Sequence, residues 1–319
     1  FTSIRVNGMG PADFGIVDVK NVINRGIFPG ARMVVGCHML GGTGMPGDMS
    51  MYASANPTLS DHLQLSFIGS GPDFFRDQVR REVKYGGDFI KVFISGSFLS
   101  PDGGPDVCYL SDDELEMIIR TAHELNRPVT AHVYPCEMMR KLLKFGIDGM
   151  EHGALMDEET AELFEKKNTY LVPTFSPFQD IIEENEEFVA KNTEDAQRKL
   201  RKYAPILRKS REVIKNSKIR LGFGSDFCAV HQPYESCYEY RSWLRSGMDP
   251  FRTLKAATSV NAEILGIDHL TGTIEKGKMA DIAGWSRDLL TDPEALFQCD
   301  FVMKEGVQYP TDSKVVDCL

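Results

Sequence analysis

Apolar runs of strand length alternate with helical segments along most of this 319-residue chain. The runs lie at roughly residues 1–8, 31–37, 89–95, 127–133, 149–153, 169–175 and 219–226. Strands that alternate with helices predict a parallel sheet with helices packed against it. A closed barrel of this kind has eight strands, whereas seven are visible here and the chain begins inside the first of them. We therefore predict an α/β fold, a (β/α)8 barrel of the TIM type without its strand 1.

The pattern changes in the last fifty or so residues. The segment GTIEKGKMADIA and residues 300–307 are typical of short strands with turn glycines, and no long helix separates them. We predict that residues 1–270 form the barrel, with its strands 2–8. Residues 271–319 are then part of a small C-terminal β-sandwich-like domain.

Three helical stretches are predicted between the strands. The first follows Pro11, the second begins at Ser111 with a capping box completed by Glu114, and the third covers residues 179–217. Apolar residues at helical spacing are Ile16, Val19, Val22 and Ile23 in the first and Leu115, Ile118, Ile119 and Ala122 in the second. The third is rich in Glu and Lys, which predicts solvent-exposed helices that could cover the barrel mouth.

Composition limits the classes of partner. A net charge of −10 and a pI near 5.3 argue against nucleic acid or an anionic membrane as the main partner. The apolar runs are too short to span a bilayer. Seven cysteines at scattered spacings predict buried thiols in a reducing cytoplasm and no disulfide framework. We expect a cytoplasmic protein that binds a small-molecule substrate and forms a homo-oligomer.

Four polar residues are placed at the C-terminal ends of predicted strands, namely Lys91, His132, His152 and Asp226. In a barrel these ends form the active-site face. A single histidine in a strand is more often a core residue, but two at matching depth on successive strands favour a metal site. Neutral imidazoles are good ligands for Zn²⁺ and similar ions. The sequence therefore predicts that His132 and His152 bind a metal.

Lys91 and Asp226 each allow more than one interpretation. Lys91 could pair with a carboxylate such as Asp226, act as a Schiff-base amine, or be carbamylated by CO₂, which turns a cation into a metal-bridging carboxylate. The nearby histidines favour carbamylation. Asp226 could cap a following helix, but beside the other three residues we favour a metal ligand that also accepts a proton from water activated by the metal.

Six segments carry a family resemblance: FIKVFISG, VTAHVYP, GMEHGALMDEET, LGFGSDF, GMDPFRTLKAATSVNAEILG and TGTIEKGKMADIAGWSRDLL. With them the chain resembles the amidohydrolase superfamily, in the branch of imidazolonepropionase-like and prolidase-like dipeptidases. The resemblance implies that carbamylated Lys91 bridges two divalent metals such as Zn²⁺. It further implies that His132 and His152 bind one metal, and that Asp226 binds the other and shuttles the proton.

Two more residues are candidates for substrate binding. Tyr134, two residues beyond His132, matches a position that often contacts substrate in relatives of this family. His231 lies in the loop after Asp226 and is expected to line the pocket. One part of the family pattern is absent, since the first strand of relatives carries a His-x-His pair and this sequence contains none. We expect that strand, with its histidine pair, to lie before Phe1.

The leading hypothesis is a metal-dependent amidohydrolase, such as an Xaa-Pro-type dipeptidase. It would cleave an amide bond in a dipeptide, an N-acyl-amino acid or a cyclic amide by metal-activated hydroxide. One alternative is a barrel lyase or aldolase that uses Lys91 as a Schiff-base amine and needs no metal. The other is a degenerate, non-catalytic relative that binds a ligand or partner.

Overall fold

A computed structural model describes residues 1–8, 14–45, 48, 66–99, 104–226 and 237–311. His231 therefore lies outside the described residues. The chain divides into two compact units. The first comprises Phe1, Ser3–Pro173 and Phe178–Arg220, and the second comprises Thr2, Thr174–Pro177 and the described residues from Leu221 onward. The predicted boundary at residues 270 and 271 stays a prediction.

The strands confirm the predicted α/β fold class. They are β1 Ser3–Asn7, β2 Arg32–Gly36, β3 Met39–Gly42, β4 Ser66–Gly69, β5 Ile90–Phe93, β6 Val129–Val133, β7 Gly149–His152, β8 Tyr170–Val172, β9 Arg220–Leu221, β10 Ile282–Gly284, β11 Phe301–Lys304 and β12 Val307–Tyr309. β1 and β2 pair in parallel, and a seven-stranded sheet has the order β4-β3-β5-β6-β7-β8-β9, parallel from β4 to β8. β10, β11 and β12 form the expected small antiparallel C-terminal sheet.

The helices that connect the strands are α1 Gly15–Asn24, α2 Pro72–Lys84, α3 Asp112–Glu124, α4 Cys136–Phe145, α5 Glu158–Lys167, α6 Gln179–Ile182, α7 Glu186–Ala190, α8 Glu194–Asn216, α9 Tyr238–Arg245, α10 Pro250–Lys255 and α11 Asn261–Ile264. A π-helical turn, Ala256–Val260, joins α10 to α11. In the described residues no helix is long and apolar enough to cross a membrane.

Each of the seven predicted runs contains a strand, but β3 and β4 were not predicted. β3 ends in Gly41 and Gly42, and glycine is typical of turns more than of strands. Both glycines are required by close packing, because a Cβ on Gly41 would collide with the Met45 side chain and one on Gly42 with the Tyr109 carbonyl. Loop-like residues therefore lie in a strand here for steric reasons.

Helix α1 forms where predicted, but only part of its apolar residues is covered. Ile16 and Ile23 pack against a buried cluster, whereas Val19 and Val22 are 45% and 38% exposed. Lys20 is buried instead, because its Nζ donates to the Gly86 carbonyl at 2.7 Å and to Asp88 Oδ1 at 2.9 Å. A long-range ion pair thus sets the orientation of this helix.

The capping box of α3 is confirmed. The Ser111 backbone N–H donates to Glu114 Oε2 at 2.8 Å, and the Ser111 side chain accepts from the backbone of Glu114. The predicted stripe of Leu115, Ile118, Ile119 and Ala122 is buried. The box defines the start of the helix, and the stripe sets its inner face.

The stretch from 179 to 217 folds into three helices, α6, α7 and α8. It is not simply solvent-exposed, because Ile181, Val189, Leu200 and further residues of these helices join a buried cluster with Tyr134. Tyr134 directly follows β6. One face of the helices therefore packs against the C-terminal end of that strand, which agrees with the expected cover.

Candidate metal centre

Three neighbouring strands of the first unit carry Lys91, His132 and His152. Lys91 pairs in register with Thr130, and His132 pairs with Phe93 on one side and Glu151 on the other. Lys91 therefore lies inside β5, two residues deeper than His132, and the expectation that it ends its strand is wrong. Residues in register, and residues two apart on one strand, share a face of the sheet, so Lys91 lies on the same face as Thr130 and His132. Lys91 is buried there, 4% exposed.

The His132 imidazole is buried and closely surrounded. Phe93 stacks on it with ring centroids 3.8 Å apart, and the His152 ring lies 4.6 Å away at an angle of 72°. Its Nε2 is buried and has no hydrogen-bond partner among the described residues. Burial, followed by the charges of His152 and Lys91, holds the pKa of His132 well below its ordinary value of 6.5. His132 is therefore a neutral imidazole, and the lone pair or proton on its Nε2 takes part in no hydrogen bond with the described residues.

His152 occupies an unusual backbone position at the end of β7. Successive strand residues normally point to opposite faces, so Glu151 and His152 should diverge. His152 has φ of +70°, in the left-handed region that non-glycine residues rarely adopt. Glu151 accepts a hydrogen bond from Thr130, which shares its strand face with His132, while the His152 ring contacts the His132 ring. The left-handed turn therefore brings both side chains to one face.

A buried ion pair, Arg5–Glu151, lies on the same face. Arg5 Nη2 is 2.5 Å from Glu151 Oε1, and Arg5 Nη1 donates to the Tyr170 hydroxyl at 2.9 Å. Thr130 Oγ1 donates to Glu151 Oε1 at 2.9 Å. Burial raises the pKa of the Glu151 carboxyl, but the charges of Arg5, Lys91 and His152 bring it below its ordinary value. The carboxylate therefore stays ionised beside the proposed metal ligands.

Gly149 makes room for this ion pair. It pairs in register with Tyr170, and the Tyr170 ring lies directly over its Cα, where a Cβ would collide with the ring. Tyr170 is 5% exposed, and its hydroxyl accepts from Arg5. The missing side chain at Gly149 therefore fixes where Tyr170, and through it Arg5, can lie.

Aromatic side chains surround the two histidines. The Tyr134 ring is 4.5 Å from the His132 ring and 5.4 Å from the His152 ring. Phe178, just before α6, lies 5.8 Å from Tyr134 and 5.9 Å from His152. Phe98 packs against both Tyr134 and Phe178. Tyr134 is therefore placed beside the histidines, and its contact with substrate stays a prediction.

Asp226 belongs to the second unit, in which it is exposed and has φ of +50°. It follows a strand that ends at Leu221, five residues earlier. Its assignment as a metal ligand stays a prediction. The same holds for the substrate contact of His231, outside the described residues.

The donors of the first unit fit part of a metal site. The His132 and His152 rings are in edge-to-face contact. The buried Nε2 of His132 lacks a hydrogen-bond partner among the described residues, as expected of a nitrogen that binds a metal. No cluster of three or more His, Cys, Asp or Glu side chains within the described ranges could hold a metal by itself. Lys91 stays the predicted third donor of this unit.

Sequence reasoning did not identify Arg5 and Glu151. The available signal was Glu151 itself, a carboxylate within the apolar segment GMEHG and adjacent to His152. A carboxylate in a buried strand requires a partner. Arg5, its partner, is 146 residues away in sequence, and no local pattern indicates the pair.

The comparisons with known proteins concern the family and the fold of the chain. Ochratoxinase of Aspergillus niger is 29% identical over 226 residues, 70% of this chain and 46% of that protein. The chain thus spans about half the length of the curated relatives it matches. A crystal structure of an Xaa-Pro dipeptidase with methionine bound in its active site gives a TM-score of 0.82 at 25% identity, covering 97% of this chain and 75% of that one.

The crystal structure of A. niger ochratoxinase gives a TM-score of 0.78 at 28% identity, covering 97% of this chain and 71% of that one. These likenesses confirm the predicted TIM-barrel type of α/β fold. The model of the family described as "Amidohydrolase family" matches residues 11–308. This chain therefore belongs to the amidohydrolase family.

Proposed function

We propose that the chain carries out metal-dependent hydrolysis of an amide bond in a small substrate, a dipeptide, an N-acyl-amino acid or a cyclic amide. The observation that carries the proposal is the buried Nε2 of His132, which has no hydrogen-bond partner among the described residues. The ring that carries this nitrogen contacts the His152 ring. A histidine kept only for packing would leave this polar atom unsatisfied, at a cost of about 1–3 kcal/mol. A histidine that binds a metal would instead use Nε2 to coordinate the ion.

His132, His152 and Lys91 would hold one divalent metal such as Zn²⁺, for which neutral imidazoles are good ligands. Asp226 is the proposed ligand of a second metal, by resemblance to the family. A bound divalent metal supplies a Lewis acid for the carbonyl oxygen and lowers the pKa of water toward neutrality. The low pKa of His132 keeps its imidazole neutral, which is the form that can donate a lone pair.

Lys91 is proposed to react with CO₂. Its neutral amine nitrogen bonds to the carbon of CO₂ and loses a proton, which leaves a carbamate with one negative charge. The reaction replaces the lysine cation, which would repel a metal ion at His132, with an anionic oxygen ligand that would bind the metal ion. The lysine charge already acts on His132 and Glu151, which supports its closeness to the site.

The remaining residues would orient the substrate and move the proton. Tyr134 would contact the acyl or amino-acid part of the substrate beside the two histidines. Phe93 stacks on His132 and limits the orientation of its ring. A carboxylate oxygen of Asp226 would take a proton from the attacking water and deliver it to the leaving amine nitrogen. The printed name of one structural neighbour, an Xaa-Pro dipeptidase, makes Xaa-Pro dipeptides the first substrates to test.

The test compares zinc-loaded and chelator-treated protein on a panel of Xaa-Pro dipeptides and N-acyl-amino acids. We expect hydrolysis that needs metal, and a loss of at least about 10³-fold in kcat for Lys91→Ala and His132→Ala, because several kcal/mol of transition-state stabilisation come from the metal. His123→Ala is the matched control, since His123 bonds Asp148 at the surface.

Zinc binding measured by competition with a chelator gives a readout independent of turnover. His132→Ala should weaken zinc at least about tenfold, and His123→Ala should not. Hydrolysis by metal-stripped protein, or equal zinc affinity in both variants, would reject the metal proposal. A borohydride-trapped adduct on Lys91 would instead support the Schiff-base alternative. Cytoplasmic location and a homo-oligomer stay predictions.

A further inference from the structure

The backbone just before Asp226 is held by hydrogen bonds from side chains. β9 comprises only Arg220–Leu221. At Phe223, the backbone N–H donates to Asn261 Oδ1 at 3.0 Å, and Asn261 Nδ2 donates to the Phe223 carbonyl at 2.8 Å. One amide side chain therefore satisfies both backbone groups of Phe223, as a neighbouring strand would.

A π-helical turn precedes Asn261. The turn covers Ala256–Val260, and Asn261 begins α11 directly after it. A π turn contains more residues than an α turn, so it changes the direction of the side chains that follow, and such turns concentrate at functional sites. The turn therefore accounts for how an asparagine on a helix can present its amide to the backbone of Phe223.

Ser176 supports the same segment closer to Asp226. Its Oγ donates to the Ser225 carbonyl at 3.1 Å. Ser176 is itself fixed by Glu239, whose Oε2 accepts from the Ser176 backbone N–H at 2.7 Å and whose Oε1 accepts from the Phe175 N–H at 2.8 Å. The Glu239 carboxylate, 3% exposed, thus fixes Ser176, and Ser176 in turn bonds the backbone of Ser225.

Trp243 completes the support. Its Nε1 donates to Glu239 Oε1 at 2.6 Å, which fixes the carboxylate from the helix that carries both residues. Its ring lies 5.6 Å from the ring of Phe175 and 5.5 Å from that of Phe223. The two segments that lead to Ser176 and Ser225 therefore pack on one indole.

Unusual backbone conformations explain why such support is needed. Thr174, which begins the segment held by Glu239, has φ of +44°, and Asp226 has φ of +50°. A β-branched residue rarely adopts this region. Conformations of this kind persist where the surrounding contacts determine them, and they cluster at functional sites.

We propose that Ser176 and Asn261 are positioning residues for Asp226, with Glu239 and Trp243 as their supports. The proposal rests on the proposed function, in which Asp226 carries the proton between water and the leaving amine. A shift of the backbone at Phe223 and Ser225 would misplace that carboxylate, and misplacement by about 1 Å can cost about 10²-fold in rate. Substrate contacts made by other residues would be unchanged.

The first test is hydrogen exchange followed by mass spectrometry on the 319-residue chain. Ser176→Ala removes the bond to Ser225 but keeps the backbone bond to Glu239, and Asn261→Asp replaces the donor to Phe223 by an oxygen. We expect amides in 222–226 to exchange about fivefold faster or more, since one lost hydrogen bond corresponds to roughly that factor. Ser242→Ala is the matched control, because this buried hydroxyl of α9 has no hydrogen-bond partner among the described residues.

The second test is steady-state kinetics of the zinc-loaded chain on the substrate that it hydrolyses. Ser176→Ala and Asn261→Asp should lower kcat by about 5- to 50-fold and leave KM within about twofold, since proton transfer is affected and binding is not. A role in stability alone would not produce this division between kcat and KM.

The outcomes are distinguishable. Exchange in 222–226 equal to that of Ser242→Ala would overturn the positioning proposal, and so would faster exchange with an unchanged kcat. Faster exchange together with the expected loss of kcat would support it. If unmodified protein hydrolyses none of the substrates while exchange still responds to the variants, the proposed function fails and the support of this segment by Ser176 and Asn261 stands.

Discussion

Removal of Arg5 should destabilise the chain because it leaves the Glu151 carboxylate buried without its main partner. Glu151 is 2% exposed, and Arg5 Nη2 lies 2.5 Å from its Oε1. Breaking one side of a buried ion pair costs about 3–5 kcal/mol. Thr130 still donates to the carboxylate, and Lys91 and His152 still lower its pKa. We therefore expect Arg5→Met to cost about 3 kcal/mol, at the lower end of that range.

The assay is urea unfolding of Arg5→Met, of the double variant Arg5→Met/Glu151→Gln, and of Arg220→Met. A loss of about 3 kcal/mol shifts the midpoint by roughly 1 M for a slope of about 3 kcal/mol/M. The double variant should recover about 2 kcal/mol, because no unpaired charge remains. Arg220→Met removes an arginine from the same Tyr170 ring but keeps the ion pair, and should cost less than Arg5→Met because Glu151 stays paired.

The loss of stability in Arg5→Met should become smaller as the pH falls. The folded-state pKa of Glu151 is below its ordinary value of 4.5, so its ionised form adds stability above that pH. This contribution is lost as the pH falls through the lowered folded-state value. The difference between wild type and Arg5→Met should therefore be largest near neutrality and shrink as the pH falls below 4.5. Equal stability of Arg5→Met and Arg220→Met, or no recovery in the double variant, would refute the reasoning.

Three further predictions concern single residues. Ser111→Ala removes half of the capping box of α3 and should lower the free energy of unfolding by about 1 kcal/mol in thermal denaturation. Asn168, the C-cap of α5 with φ of +53°, should tolerate glycine with little change, whereas Asn168→Ala should cost about 1 kcal/mol in the same assay. In metal-free protein His132 should remain neutral by NMR well below pH 6.5, and stability should fall as the pH drops below that value, because the unfolded chain binds the proton more readily.

The strands of the parallel sheet were predictable because their signal is local. Uninterrupted runs such as FIKVFIS and PVTAHVY are typical of buried strands, and a strand forms within each. β3 and β4 escaped prediction, since each has four residues and contains glycine. Their pairing depends on Met45 and Tyr109 packing closely over Gly41 and Gly42, which no local pattern indicates.

The site was predictable to the extent that its residues lie on strands. The positions of His132 and His152 on successive strands follow from the sequence, and so does the presence of Lys91 on the preceding one. The partners were not predictable, because Arg5 is 146 residues from Glu151. The last strand was predicted too long for a similar reason. It ends at Leu221, and the backbone of Phe223 bonds instead to Asn261, 38 residues farther along the chain.

Helix α1 illustrates a tertiary override of a correct local pattern. The spacing of Ile16, Val19, Val22 and Ile23 predicts a helix, and a helix forms at Gly15–Asn24. Its rotation follows the ion pair of Lys20 with Asp88, 68 residues away, and leaves Val19 and Val22 exposed. Periodicity identifies a helix, but a charge pair distant in sequence decides which face it buries.

The glycine beneath Tyr170 has a consequence for how barrels of this type can diverge. Because the ring occupies the space of a Cβ on Gly149, substitutions at the two positions cannot be accepted independently. Alanine at 149 would require a smaller side chain at 170, and that change would deprive Arg5 of its hydroxyl partner. The residues at 149, 170 and 5 should therefore covary as a group among related sequences, so a change at one position predicts changes at the other two.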